Sequence, residues 1–437
     1  MTGGKQKSIK DYFLGSEKIP WWAVCFSIVA AETSTLTFIS IPGLAYLTNL
    51  NFLQVAVGFL IGRIIIAFLF LPAYFKGELE TAYNFLEHRF GSRTRTIASL
   101  TFLFTRLAAD GVRLFATAIP VYLILKVDPF IAIIITAFIA LLYTYSGGLK
   151  GIIWVDVFQM FIYIGGAVIA GIFILNNLPD GWNTVLFNAE SKNKFEIFNF
   201  GFNEGINGFI KNPYTLIGGL IGGAFLSMAS HGTDQLMVQR LLSTKNLKSA
   251  QKAVIGSGVI VVLQFALFLF LGVMLFAHYG SLNVRSDEIF PMFIINYLPE
   301  GVTGLIIASL LAAAMSTLAG SMSSLSSSAM MDLYLPKTKK IHDEKKKLLL
   351  SRLLTIVWAV LLILSALFFM QSTKAVVELA LGISSFTYGG LLGVFLLGIL
   401  IKNSNQTVAL IGFFLAIITM IFVVSFNLTG WTWYTFI

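Results

Sequence analysis

The chain has 437 residues, is 57% hydrophobic and 12% charged, and carries a formal net charge of +9. Its mean hydropathy is +0.84. Apolar runs near twenty residues recur along it, which excludes a soluble globular domain, and they are too long for barrel strands; a polytopic all-α membrane protein follows.

The first twenty residues, MTGGKQKSIKDYFLGSEKIP, are polar and basic and hold no signal-peptide core. Spans are expected near 21–48, 51–75, 96–125, 128–145, 151–178, 213–234, 250–278, 300–331, 349–371, 374–400 and 406–427. With the N-terminus inside, most of the 30 Lys and Arg fall on the cytoplasmic side. Outside lie Lys126, Lys192, Lys194, Lys211, Arg285 and Lys374, while Arg63, Arg106 and Arg113 lie within spans. This positive-inside bias fixes orientation in a plasma (inner) membrane and explains the basicity without nucleic acid. The single cysteine, Cys25, excludes an internal disulfide. Residues 1–20 form a cytoplasmic segment and 21–400 a ten-helix core. Residues 401–437 add a further helix and end at GWTWYTFI, which reads as a twelfth span cut short.

Two spans are interrupted. In the first, FSIVAAETSTLTFISIPGLAY, Glu32 and a Thr/Ser run precede Pro42 and Gly43. In the sixth, LIGGLIGGAFLSMASHGTDQLMVQR, glycine pairs precede Ser227, Ser230, His231 and Gly232. Broken helices five spans apart are the footprint of an inverted-repeat transporter of five plus five helices, although Gly and Pro are also common in membrane helices generally.

Several groups at depth call for an account. Ala313, Ser316 and Thr317 stand at i, i+3 and i+4, so a carbonyl and two hydroxyls can converge for a hard cation, or can serve close helix packing. For Ser321 to Ser328 packing is the simpler account. Glu32 and Asp156 are intramembrane carboxylates, each able to serve a cation site or to bond neighbouring hydroxyls. Arg106, Asp110 and Arg113 at i, i+4 and i+7 read as an ion-pair ladder, or as a ladder with one arginine partly free for a solute carboxylate. His231 reads as a packed histidine or a proton relay. No phosphate-cradling GK[ST] loop, metal cluster or hydrolase triad is present, so ATP drive and an embedded enzyme are excluded.

The stretches DYFLGSEKIPWWAV, AAETSTLTFISIPGLAY, YSGGLKGIIWVDVFQ, DQLMVQRLLSTKNLKSAQKA and LAAAMSTLAGSMSSLSSSAMMDLY, in this order, resemble landmarks of the sodium:solute symporter family. Its members carry sugars, proline, sialic acid, pantothenate and monocarboxylates, and the resemblance implies the LeuT-type fold. It also implies one sodium held by the carbonyls of Ala30, Thr33 and Ala313 and the hydroxyls of Ser316 and Thr317. Asp156 matches a supporting aspartate, and Glu32 aligns with an aspartate that matters for sodium in proline carriers. The chain departs from the pattern in two places. Ala319 and Gly320 stand where sialic-acid-type members have two more sodium serines, which argues for one ion. Ala109 stands where their carboxylate-binding arginine is found.

The expectation is therefore a sodium-coupled symporter that imports a small organic solute (sugar, sialic acid, amino acid or carboxylate) by alternating access. Candidate solute contacts are Thr35, Thr37, Gln54, Ser227, Ser230, His231, Arg106, Arg113, Ser385 and Tyr388. The alternatives are a sensor or receptor that keeps the carrier fold, and a proton-driven carrier using Glu32, Asp156 or His231.

Overall fold

The computed structural model describes residues 9–14, 19–33, 35–76, 79, 81–202, 205–284, 286–336, 338, 343–370 and 376–437. Within them, the side chains at 9–11, 35, 36, 120, 123, 124, 143, 145–148, 309, 310, 312–314, 316, 376–378 and 381 are not described. Thr35, Ala313 and Ser316 are thus followed by backbone alone.

Every expected span is helical over most of its described residues. The first is two pieces, α1 (Trp21–Glu32) and α2 (Thr35–Leu47), bent by 56°. The break lies at Thr33 (φ −82°, ψ 64°), whose N–H closes back on Val29 O at 2.7 Å. Pro42 sits inside α2 and does not break it. Gly272 faces the Pro42 carbonyl, and a Cβ there would stand only 2.1 Å from that oxygen.

Span two is α3 (Phe52–Lys76), with a wide π-turn at Ile66–Phe70. Span three is α4 (Ser92–Leu125), ended by Lys126 in the left-handed region at φ 53°. The stretch α5 (Pro129–Asn176) is helical throughout, where a break between two spans was expected. Two apolar portions, Pro129–Leu142 and Leu149–Asn176, match spans four and five.

Span six opens with a π-turn, Gly218–Gly222, and continues as α6 (Gly223–Gly232). It breaks at Thr233 and Asp234, and Asp234 caps α7 (Gln235–Leu242) by accepting from Leu236 N at 2.9 Å. The glycine pairs therefore do not make the break. They pack instead: a Cβ on Gly58 would stand 2.4 Å from Gly219 O, and one on Gly62 2.3 Å from Ala224 O. Spans two and six thus meet backbone to backbone, as small residues allow in membranes.

The remaining spans are α8 (Leu247–Tyr279), α9 (Glu300–Ser328, followed by a π-turn at Ala329–Tyr334), α10 (Glu344–Phe369), α11 (Val376–Leu400) and α12 (Gln406–Ser425). α8 packs on α1, α2 and α3, α9 on α5, and α10 and α11 on α4. At the cytoplasmic end, Arg89 of the short helix Ala82–Phe90 donates to the carbonyls of Gly398, Ile401 and Ser404, closing the end of α11.

By length and apolarity alone, six described helices qualify as crossings, and the bent first pair makes seven. Span four falls outside that measure because its apolar portion, Pro129–Leu142, is short, and span six because it is interrupted. α4 carries Arg106, Asp110 and Arg113, and α9 is rich in serine. Their polar groups face other helices, so the bundle shields what lipid would exclude.

Candidate functional site

A cavity of about 90 Å³ lies between the two broken helices. Ile41, Phe52, Phe59, Leu226, Met237 and Phe265 form its apolar wall. Glu32, Thr37, Ser230, His231, Ser384 and Tyr388 supply polar groups, and Arg106 and Arg113 enter from α4.

Buried charges around it are paired. Arg63 on α3 is fully buried; its Nη2 donates to Glu32 and stands 3.1 Å from His231 Nε2, and its Nη1 donates to Ser257 at 3.0 Å. A guanidinium can only donate, so His231 Nε2 accepts. The imidazole is then neutral, with its proton on Nδ1 directed to Ser230 Oγ at 2.8 Å. A proton added at Nε2 would face the Arg63 charge, which disfavours a relay through His231 in this arrangement.

The ladder on α4 forms and extends beyond its own helix. Arg106 lies 2.9 Å and Arg113 2.9 Å from Asp110, and Arg106 also lies 3.4 Å from Asp234 at the span-six break. Tyr388 on α11 donates to the same Asp234 carboxylate at 2.6 Å. Removing one partner from such a set strands a buried charge, which is what keeps it assembled. Arg113 is the less consumed arginine. Nη1 bonds Asp110, Nε has no hydrogen-bond partner among the described residues, and the side chain is 18% exposed at the cavity.

Below the cavity, Asp156 accepts from Ser27, which in turn accepts from Arg240 Nε at 2.9 Å; Arg240 Nη2 stands 3.3 Å from Asp156. Arg240 is 1% exposed, and a Cβ on Gly320 would stand 2.8 Å from its Nη2.

The sodium candidates lie at the end of α1 and along α9, two helices that pack against each other. A helix end releases its last carbonyls. That of Val29 is taken by Thr33 N and that of Glu32 by the Thr37 hydroxyl, with Ala30 between them. Thr33 Oγ1 donates to Gln264 at 2.8 Å, which leaves its carbonyl as the candidate ligand. Thr317 Oγ1 is buried with no partner among the described residues. The side chains of Ala313 and Ser316 lie outside the described residues, as does that of Thr35.

Of the solute candidates, Thr37, Ser230, His231, Arg106, Arg113 and Tyr388 meet at the cavity. Gln54 turns instead to the carbonyls of Asn51 and Tyr214. Ser227 and Ser385 are buried off the cavity wall, and Ser384 takes the place expected of Ser385. Sequence reasoning passed over Arg63, Asp234, Ser384 and the Arg240–Asp156 pair. A signal existed for three of them, since Glu32, Asp110, Asp156 and Asp234 need four buried cations, and Arg63, Arg106, Arg113 and Arg240 are available.

Two helices broken at depth around one polar cavity, inside a bundle of apolar helices, define a secondary membrane transporter. The sodium:solute symporter family model matches residues 12–416, and the chain belongs to that family. It is 28% identical over 427 residues to the sodium/sialic acid symporter SiaT of Proteus mirabilis, covering 95% of this chain and 84% of that one. It is 29% identical over 434 residues to the sodium/sialic acid symporter NanT of Aliivibrio fischeri, covering 96% and 83%. A solved substrate-bound, outward-open Na+-coupled sialic acid symporter superposes with a TM-score of 0.87 at 26% identity, covering all of this chain and 90% of that one. The protein is thus a multi-pass membrane carrier of LeuT-type fold, not an enzyme, and sodium is its coupling ion.

Proposed function

We propose that this carrier imports a small organic acid with one sodium ion by alternating access, and that Arg113 holds the solute carboxylate. The observation that carries the reading is the partly free guanidinium edge of Arg113 at the cavity. A planar fork of donors suits a carboxylate bidentately. The aromatic and aliphatic wall suits the carbon frame of the acid, and Thr37, Ser230 and Ser384 suit its hydroxyl or amide groups. The names of the sialic acid relatives, and of a 27%-identical mouse sodium-coupled monocarboxylate transporter, point the same way.

Sodium would sit on the carbonyls of Ala30, Thr33 and Ala313 and the hydroxyls of Ser316 and Thr317, with Asp156 and Glu32 supporting the site through the local field. The buried Thr317 hydroxyl, without a partner among the described residues, supports this. Coupling requires only that sodium favour the outward-open state that binds the acid.

A thermal-shift panel tests the reading: N-acetylneuraminate, lactate and glucose, each with sodium chloride or choline chloride. Stabilisation is expected with an acid and sodium together, and not in Arg113→Gln. Stabilisation by glucose with sodium, and by neither acid, overturns it.

A further inference from the structure

Serines crowd the cytoplasmic half of α9, and they are not equivalent. Ser321 donates to Thr317 O at 3.0 Å, Ser324 to Ser321 O at 3.0 Å, and Ser326 to Ser351 O at 2.7 Å. Ser328 donates to Asp332 at 2.9 Å and meets Ser99 at 2.7 Å. These four are consumed by packing and helix bonding. Ser323 and Ser327 differ: each is 1% exposed, and neither hydroxyl has a partner among the described residues.

Their position gives that difference a meaning. One turn toward the cytoplasm from Thr317 stands Gly320, and Ser323 and Ser327 follow it at i+3 and i+7, on the same face. The face begins at Gly320, one turn beyond the sodium candidates, and runs roughly 10 Å along the axis to Ser327, at 1.5 Å per residue. The Arg240 guanidinium lies across it at Gly320. A dehydrated cation crossing protein needs oxygens in succession, and a buried hydroxyl without a partner is a ready one.

We infer that Ser323 and Ser327 form a transient sodium station on the route by which the coupling ion leaves toward the cytoplasm, with Arg240 against Gly320 as the constriction above it. The inference rests on the sodium assignment at Thr317 made above. A station on a route changes rates in both directions and leaves equilibrium affinity alone, whereas a packing role or a true ligand does not.

The test uses ²²Na⁺ as the probe on the whole chain in nanodiscs. Equilibrium binding is measured together with release of bound ²²Na⁺ into excess unlabelled sodium by rapid filtration. Ser→Ala removes a single oxygen and keeps the packing. For Ser323→Ala with Ser327→Ala, affinity is expected to stay within about twofold while release slows roughly tenfold. Ser326→Ala, which loses a hydroxyl on another face, should match wild type. Unchanged release, an affinity loss that parallels the rate, or equal slowing in Ser326→Ala each overturns the station. Thr317→Ala separates the two levels: if it binds ²²Na⁺ as wild type does, the sodium assignment itself is wrong.

Discussion

Arg63 Nη2 donates to Glu32 and stands 3.1 Å from His231 Nε2, so a guanidinium on the second span holds cavity groups from both broken helices. Arg63→Gln leaves the Glu32 carboxylate with no counter-ion in this contact. A buried pair broken on one side loses about 3–5 kcal/mol. The double variant Glu32→Gln with Arg63→Gln should recover most of that loss. Melting temperatures of wild type, Arg63→Gln and the double variant, measured without sodium, check it; a double variant no better than Arg63→Gln would assign the arginine another role.

Arg113→Lys keeps a charge beside Asp110 and loses the planar fork. The apparent affinity for the acid should fall roughly tenfold, equivalent to about 1.4 kcal/mol. Sodium affinity measured without solute should be unaltered. Uptake titrated with solute, and ²²Na⁺ binding, provide the two readings.

The backbone contact between spans two and six predicts a sharp contrast between glycines. A Cβ on Gly58 meets Gly219 O at 2.4 Å, whereas one on Gly151 meets nothing within 4 Å. Gly58→Ala should destabilise by about 1–3 kcal/mol through overpacking, and Gly151→Ala should be neutral. Thermal denaturation of the two variants side by side decides.

The cavity charges named above balance: Arg63, Arg106 and Arg113 against Glu32, Asp110 and Asp234. A monovalent acid and one sodium would then enter as a neutral load. Uptake in proteoliposomes should follow the sodium gradient and ignore a potassium diffusion potential, which otherwise contributes about 2.3 kcal/mol per charge per 100 mV. Uptake that rises with an inside-negative potential would require a second cation.

On the outer side, Lys194 donates to the carbonyls of Tyr46 and Thr48 at the end of α2 and lies 4.3 Å from the centre of the Phe276 ring. Burial pushes its ammonium down from 10.5 to about 8. Between these values the unfolded chain binds more protons than the folded one, so stability rises with pH across that window. Below it the cost of burying the charge is fully felt. The melting temperature of wild type relative to Lys194→Met should therefore climb from pH 8 to pH 10; a flat difference would contradict the burial effect.

Much of the fold was legible because spans announce themselves by apolar length, and the interrupted ones by polar groups gathered at depth. The locations of the breaks were less legible. Pro42 and the glycine pairs stand out in the sequence, yet the chain breaks at Thr33 and at Thr233–Asp234. A proline carbonyl can be accommodated by a neighbouring glycine, and glycines can serve contact rather than disorder; both depend on partners distant in sequence. The arginine pairings were hidden for the same reason. Composition counts the charges, but only the packed bundle decides that Arg63 meets Glu32 and that Arg240 meets Asp156.

Arg89 has one more consequence. Its guanidinium holds carbonyls of Gly398, Ile401 and Ser404, so the last turn of the tenth span and the helix Ala82–Phe90 share one fastening. Neither can fray alone without abandoning several charge-assisted bonds. Their amides should therefore open to deuterium as a single cooperative unit, although more than three hundred residues of chain separate them.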